Sequence, residues 1–248
     1  MKVSIKNIGI LGITLVALNA CQNDKKQQTN DTLSVVETKV DTLNANAEPE
    51  TKPEPDFPKS GNKIEDLIPQ YFDTDMEASG DLNHDGLEDK VLVLVNTRDT
   101  TALRPTLVVL KVGNAYRVDA KSYAIIEPKY RKDGYLNYDY EEVKIDKNGQ
   151  LIFSQQSTGP NGSLESVFKY LNNELVLTNI SSFAMGAGGQ TELKLDLLKG
   201  VFEQTDINTM KEDMPSKTTT QKYRLPKTLF SNSDPRAIMI KAFNDNGK

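Results

Sequence analysis

A chain of 248 residues with 37% hydrophobic and 26% charged side chains holds apolar material for one core and a long polar remainder. Its net charge of −5, with no Lys/Arg block interleaved with aromatics, lacks the electrostatic footprint of a nucleic-acid binder and argues against that partner. Cys21 is the only cysteine, which excludes an internal disulfide framework and a cysteine-cluster metal site; His84 is the only histidine, and tryptophan is absent.

Residues 1–20, MKVSIKNIGILGITLVALNA, place Lys2 and Lys6 before an apolar run from Ile8 to Leu18 and then small residues, the layout of a bacterial secretory signal. The run is shorter than the stretch of about 20 apolar residues that spans a bilayer. Cys21 directly follows Leu18-Asn19-Ala20, and this junction resembles the lipobox of bacterial lipoproteins. The resemblance implies acyl chains such as palmitate on the Cys21 sulfur, cleavage before it and acylation of the new amino terminus. It further implies a lipid-anchored location in the bacterial cell envelope, with the outer membrane as the expected site. The plainer alternative is a secreted protein whose lone cysteine falls near the cleavage point. Two or more acyl chains, at about 0.8 kcal/mol per buried CH₂, anchor stably where one is marginal. Removing residues 1–20 takes away two lysines and no acid, so the charge of −5 becomes −7, which disfavours anionic lipid as a second anchor.

Residues 21–58 read as a tether. Gln, Asn, Thr, Glu and Pro dominate, too little apolar surface is present to fold, and the prolines near its end favour extended structure. Within it, LSVVETKVDTL (33–43) has some helical spacing. KIEDLI (63–68) predicts a short helical turn before Pro69.

GDLNHDGLED (80–89) puts Asp81, Asn83, Asp85 and Asp89 at positions 1, 3, 5 and 9 of a loop, with Gly86 at position 6 and the Leu87 carbonyl at position 7. Hard oxygen donors around a glycine where the backbone turns sharply are the chemistry of calcium. Position 12 would be Leu92 rather than a bidentate glutamate, which excludes an EF-hand. Gly80 to Thr97, loop plus apolar strand, resemble the DxNxDGxxD loop of FG-GAP and VCBS-type repeats, which implies a structural calcium ion held by Asp81, Asn83, Asp85, Leu87 and Asp89. Those repeats come several to a chain and build a propeller, whereas one copy is present here. The alternative is an Asx-type turn that needs no metal. Three aspartates in nine residues repel one another unless a cation or protons neutralise them. His84 falls at a non-ligand position and is expected to face solvent.

Strand signals follow in series. KVLVLVN (90–96) is nearly all apolar and predicts a central strand covered on both faces. PTLVVLKV and AYRVDAK flank Gly113-Asn114; YEEVKID and QLIFSQQ flank Lys147-Asn148-Gly149; SLESVFKYL and NELVLTNISSF meet at Asn172-Asn173; TELKLDLL and VFEQTDIN flank Lys199-Gly200; TTTQKYRL closes the set. Residues 60–225 resemble a group of uncharacterised bacterial lipoproteins and secreted proteins with one aspartate loop, an apolar strand, an Arg-Pro-led strand and a blade-like meander. SDPRAIMIKAF (233–243) predicts a helix capped by Ser233 or Asp234, with Pro235 near its first position and Ile238, Met239 and Phe243 docking on the sheet.

Tyr130, Tyr135, Tyr138 and Tyr140 alternate with charges in KYRKDGYLNYDYEE. Exposed, these rings would stack on sugars or peptides; the other reading is a strand with half-buried rings. Glu141 and Glu142 are adjacent, so in a strand they face opposite ways and make a poor glycosidase pair. GAGGQT (186–191) lacks the Lys-Ser/Thr ending of a phosphate loop and reads as a β connection, as does STGPNGS (157–163). Together at one rim of the sheet, the two glycine-rich loops would shape a binding groove, which chain order alone does not decide.

The expectation is therefore a mainly β fold, with antiparallel meander or blade-like sheets and one or two short helices in residues 59–248, behind the signal (1–20) and tether (21–58). Its expected role is non-catalytic binding or scaffolding at the envelope with a structural calcium site. The membrane, through the anchor, and an envelope protein or glycan are the expected partners. A hydrolase of envelope polymers and a purely structural envelope protein are the alternatives.

Overall fold

The computed structural model describes residues 56–157 and 162–246. Cys21, the signal, the tether up to residue 55 and the tip of the 157–163 loop lie outside the described residues. The fold is mainly β, with two antiparallel sheets and a C-terminal helix. No described helix is long and apolar enough to cross a membrane.

The first sheet contains β1 (Ser60–Gly61), β2 (Phe72–Gly80), β3 (Asp89–Asn96), β4 (Thr106–Val112) and β5 (Ala115–Ser122), in the order β1-β5-β4-β3-β2. The predicted helical turn is a 3-10 turn, Ile64–Leu67. Period-two alternation in β3 and β4 serves two cores. Val91, Val93, Val108 and Leu110 face the core shared with the second sheet. Leu92, Leu94, Leu107 and Val109 face a smaller core closed by Phe57, Leu67 and Phe72. β3 is thus covered on both faces, as its unbroken apolar run predicts, although β4 holds the middle of the sheet. Among the described residues packing begins at Phe57, whose ring lies 5.6 Å from that of Phe72, within the segment that composition assigns to the tether.

The second sheet is a seven-stranded meander: β6 (Tyr140–Ile145), β7 (Leu151–Gln156), β8 (Ser163–Leu171), β9 (Glu174–Gly186), β10 (Gly189–Asp196), β11 (Val201–Asn208) and β12 (Ser216–Lys222). Asn172 and Asn173 both adopt positive φ, as a two-residue primed hairpin turn requires, and so set the β8–β9 register. Phe153, Phe168 and Phe230 form a trio at the core, with centroids 5.1–6.3 Å apart.

Helix α1 (Pro235–Asn246) starts where the Asp234 carboxylate accepts the Ala237 N–H at 2.8 Å, so Asp234 is the cap. Ser233 is buried and donates instead to the Leu229 carbonyl. Pro235, Met239 and Ala242 face the core, with Ile238 against its margin. Phe243 lies on the outer side and is 40% exposed, contrary to its expected docking, because positions i, i+4 and i+7 already fill the inward stripe.

Candidate functional site

The aspartate loop joins β2 to β3. Asp81 accepts the N–H groups of Asp85 (3.1 Å) and Gly86 (2.9 Å), and Asp85 accepts that of Leu87 (2.8 Å). Asn83 accepts the Asp85 N–H and donates its amide to the Asp85 carboxylate at 3.0 Å. Gly86 sits at φ +84°, the left-handed turn that the sequence requires of it. Asp81, Asn83 and Asp85 therefore gather around one turn, and each carboxylate oxygen keeps a second lone pair. Asp89 behaves differently. It is fully buried, and its two oxygens accept the N–H groups of Leu82 (2.9 Å) and Lys111 (3.0 Å), bracing the loop against β4. Burial, opposed by these two N–H groups and reinforced by the Asp85 and Asp81 charges, raises its pKa. A cation at the loop would relieve that repulsion. The hard oxygen donors of Asp81, Asn83 and Asp85 are of the chemistry that calcium takes, with Asp89 engaged behind them. No three His, Cys, Asp or Glu side chains converge on one point among the described residues.

His84 is exposed, as expected, but its imidazole also lies against the β6–β7 turn. A Cβ on Gly149 would come within 2.8 Å of His84 Cε1 and 2.9 Å of the Asp81 carbonyl. The loop thus abuts the second sheet only because Gly149 has no side chain.

The register of the second sheet aligns Tyr140, Gln156, Ser163, Phe183, Glu192, Thr205 and Thr218 along one line. The tyrosine segment before β6 and the β7–β8, β9–β10 and β11–β12 connections all leave the sheet beyond it. The described ends of both glycine-rich loops therefore lie at one rim. GAGGQT contains a tight hairpin turn at Ala187-Gly188 and continues as strand.

The tyrosine segment is mostly a loop, not a strand. It folds back through the Tyr130–Leu136 bridge, with the Arg131 N–H donating to Tyr135 O and the Asn137 N–H to Lys129 O. Its rings separate. Tyr130 and Tyr135 line an open cleft of about 500 Å³ with Arg131, Asn137, Asp139 and Ser157, and Tyr135 is 68% exposed. Tyr140 begins β6, 51% exposed and outside that lining. Tyr138 is only 5% exposed, and its hydroxyl is held by Glu127 and Arg236 of α1. Burial and the Glu127 carboxylate push that phenol far up, so it stays protonated and ties the helix to the loop. Tyr138 is therefore a structural ring and not a stacking surface.

Sequence reasoning gives Arg104 no role beyond leading a strand. It is fully buried between the sheets. Nη1 donates to Asp75 (2.8 Å) and Glu141 (2.9 Å), Nη2 to Glu141 (2.5 Å), and Nε to the Glu127 carbonyl (2.6 Å). Asp75 is the extra residue of a bulge in β2 and also pairs with Lys129. Gln155 donates to Glu141 at 3.2 Å. Two carboxylates thus share one guanidinium nitrogen, yet both are consumed by it and almost wholly covered. Glu142 faces the other way, as adjacent strand residues must.

Compared with protein-family models, with curated protein sequences and with solved structures, the chain matches none.

Proposed function

We propose that the protein is a lipid-anchored lipoprotein of the bacterial envelope whose β domain is a non-catalytic binding or scaffolding module braced by calcium. The anchor rests on the secretory signal and Cys21. Calcium rests on the Asp81, Asn83 and Asp85 side chains gathered at one turn. There the ion supplies charge neutralisation, and Asp81 and Asp85 hold the turn that meets the second sheet. The ion does no chemistry in this reading.

The observation that carries the binding reading is an open cleft with Tyr130 and Tyr135 at its wall, while the buried charges of the described residues, Asp89 and Arg104, are consumed in internal bonds. A hydrolase needs two carboxylates reachable by a sugar and a water. Asp75 and Glu141 are close together but sealed around Arg104, which disfavours that alternative.

The test has two arms. In cells given labelled palmitate, the wild-type chain should carry label and sediment with membranes, and Cys21→Ser should lose both. Calcium titrated into the metal-stripped mature chain should bind at one site and raise the melting temperature. A Cys21→Ser chain that stays labelled and membrane-bound would sink the anchor, and a flat titration would sink the calcium.

A further inference from the structure

We propose that the cleft under the Tyr130–Leu136 turn is a carbohydrate subsite, taking one or two rings of a neutral glycan through Tyr130 and Tyr135. This rests on the reading of the domain as a binding module and names its ligand class.

Size is the first argument. About 500 Å³ lies within the 300–1,000 Å³ of ordinary ligand clefts, and the cleft is open to solvent. The second is the lining. Two phenol rings share the lining with Arg131, Asn137, Asp139 and Ser157, and the Arg131 guanidinium lies over the Tyr135 ring at 5.6 Å from its centroid, so the wall offers aromatic surface together with polar groups. A sugar presents the complement: C–H faces that pack on aromatic rings and a belt of hydroxyls that both donate and accept.

Charge narrows the class further. The Arg131 guanidinium is paired with Asp133 through Nε and Nη2, each at 3.2 Å, so the one cation of the lining is already compensated. A phosphate or other strong anion would find no surplus positive charge there, whereas a neutral polyol needs none.

Peptide capture by strand addition is disfavoured by the backbone. That mode needs a row of open N–H and C=O groups. Here Arg131 N–H bonds to Tyr135 O, Asn137 N–H to Lys129 O, Asp139 N–H to Gln156 O and Ser157 N–H to Gly162 O. The wall is closed on itself, and recognition falls to side chains. The same bonds fix the main chain that carries Tyr135, so little backbone ordering entropy is lost on binding.

Affinity electrophoresis in gels containing soluble polysaccharides, followed by calorimetry with cellotetraose, chitotetraose and maltotetraose, tests this on the mature chain. A proline-rich decapeptide serves as the comparator. One tetrasaccharide should bind, Tyr135→Ala should weaken it about tenfold, Tyr135→Trp should keep it, and Tyr140→Ala, outside the lining, should leave it unchanged. Unchanged circular dichroism of Tyr135→Ala separates lost stacking from lost folding. Retention of none of the sugars, or sugar binding indifferent to Tyr135→Ala, overturns the proposal. Tyr135-dependent binding of the peptide alone also overturns the sugar assignment, but leaves the binding module standing.

Discussion

Arg104, two residues before β4, and Glu141 of β6, 37 residues apart, meet in a two-pronged ion pair, with Nη2–Oε1 at 2.5 Å and Nη1–Oε2 at 2.9 Å. Removing one member strands the other charge in the interior. Arg104→Ala should destabilise the domain by about 3–5 kcal/mol, read as a lower midpoint in urea. Replacing Arg104, Asp75 and Glu141 together by apolar residues of similar volume should cost much less. A mild single-site effect would show that water reaches the network.

Calcium removal should lower the melting temperature of the wild-type chain and leave that of Asp81→Ala/Asp85→Ala unchanged. At calcium one hundred times its dissociation constant the gain is about 2.7 kcal/mol. Identical melts with chelator and with millimolar calcium would reduce the loop to a self-bonded turn.

Two glycines should respond differently to alanine. Gly86 (φ +84°) has open space around it, so Gly86→Ala should cost only the left-handed backbone strain, about 1–2 kcal/mol. Gly149 (φ +66°) has His84 and the Asp81 carbonyl in the way as well, so Gly149→Ala should cost more and loosen the aspartate loop too. Equal costs would mean that the loop and the β6–β7 turn move apart freely.

Acid sensitivity should report the β10–β11 turn. Partial burial pulls the Asp196 carboxyl upward, but the Lys199 ammonium (2.8 Å) and backbone N–H (2.9 Å) outweigh it and hold the pKa below its usual 3.8. The unfolded chain then takes up this proton first. The stabilisation is complete above the usual value and is lost as the pH falls through the folded one. Asp196→Asn should flatten the acid limb of a stability profile and leave its slope above pH 5 unchanged.

Most of the strand plan was legible because period-two apolar runs alternate with turn residues. SLESVFKYL and VFEQTDIN coincide with β8 and β11. β2 was not, since FDTDMEASG has few apolar residues and the Asp75 bulge breaks their alternation. The aspartate loop was legible as a local motif. Arg104 was not, because its acidic partners lie 29 and 37 residues away and the bulge that aims Asp75 leaves no mark in composition. The tyrosines could not be sorted by spacing. In a loop no strand alternation applies, and Glu127 together with the helix carrying Arg236 decides that Tyr138 turns inward.

The aspartate loop and the tyrosine cleft stand at opposite ends of β6, whose six residues extend over about 17–20 Å. The cleft's turn at Asp133-Gly134 is exposed and makes no core contact, the kind of position where inserted residues are tolerated. Loop length and sequence at that rim can therefore be exchanged without disturbing the end where the aspartate loop meets Gly149. The domain is a graftable platform, in which the loops of one rim can be re-engineered while the machinery of folding stays fixed.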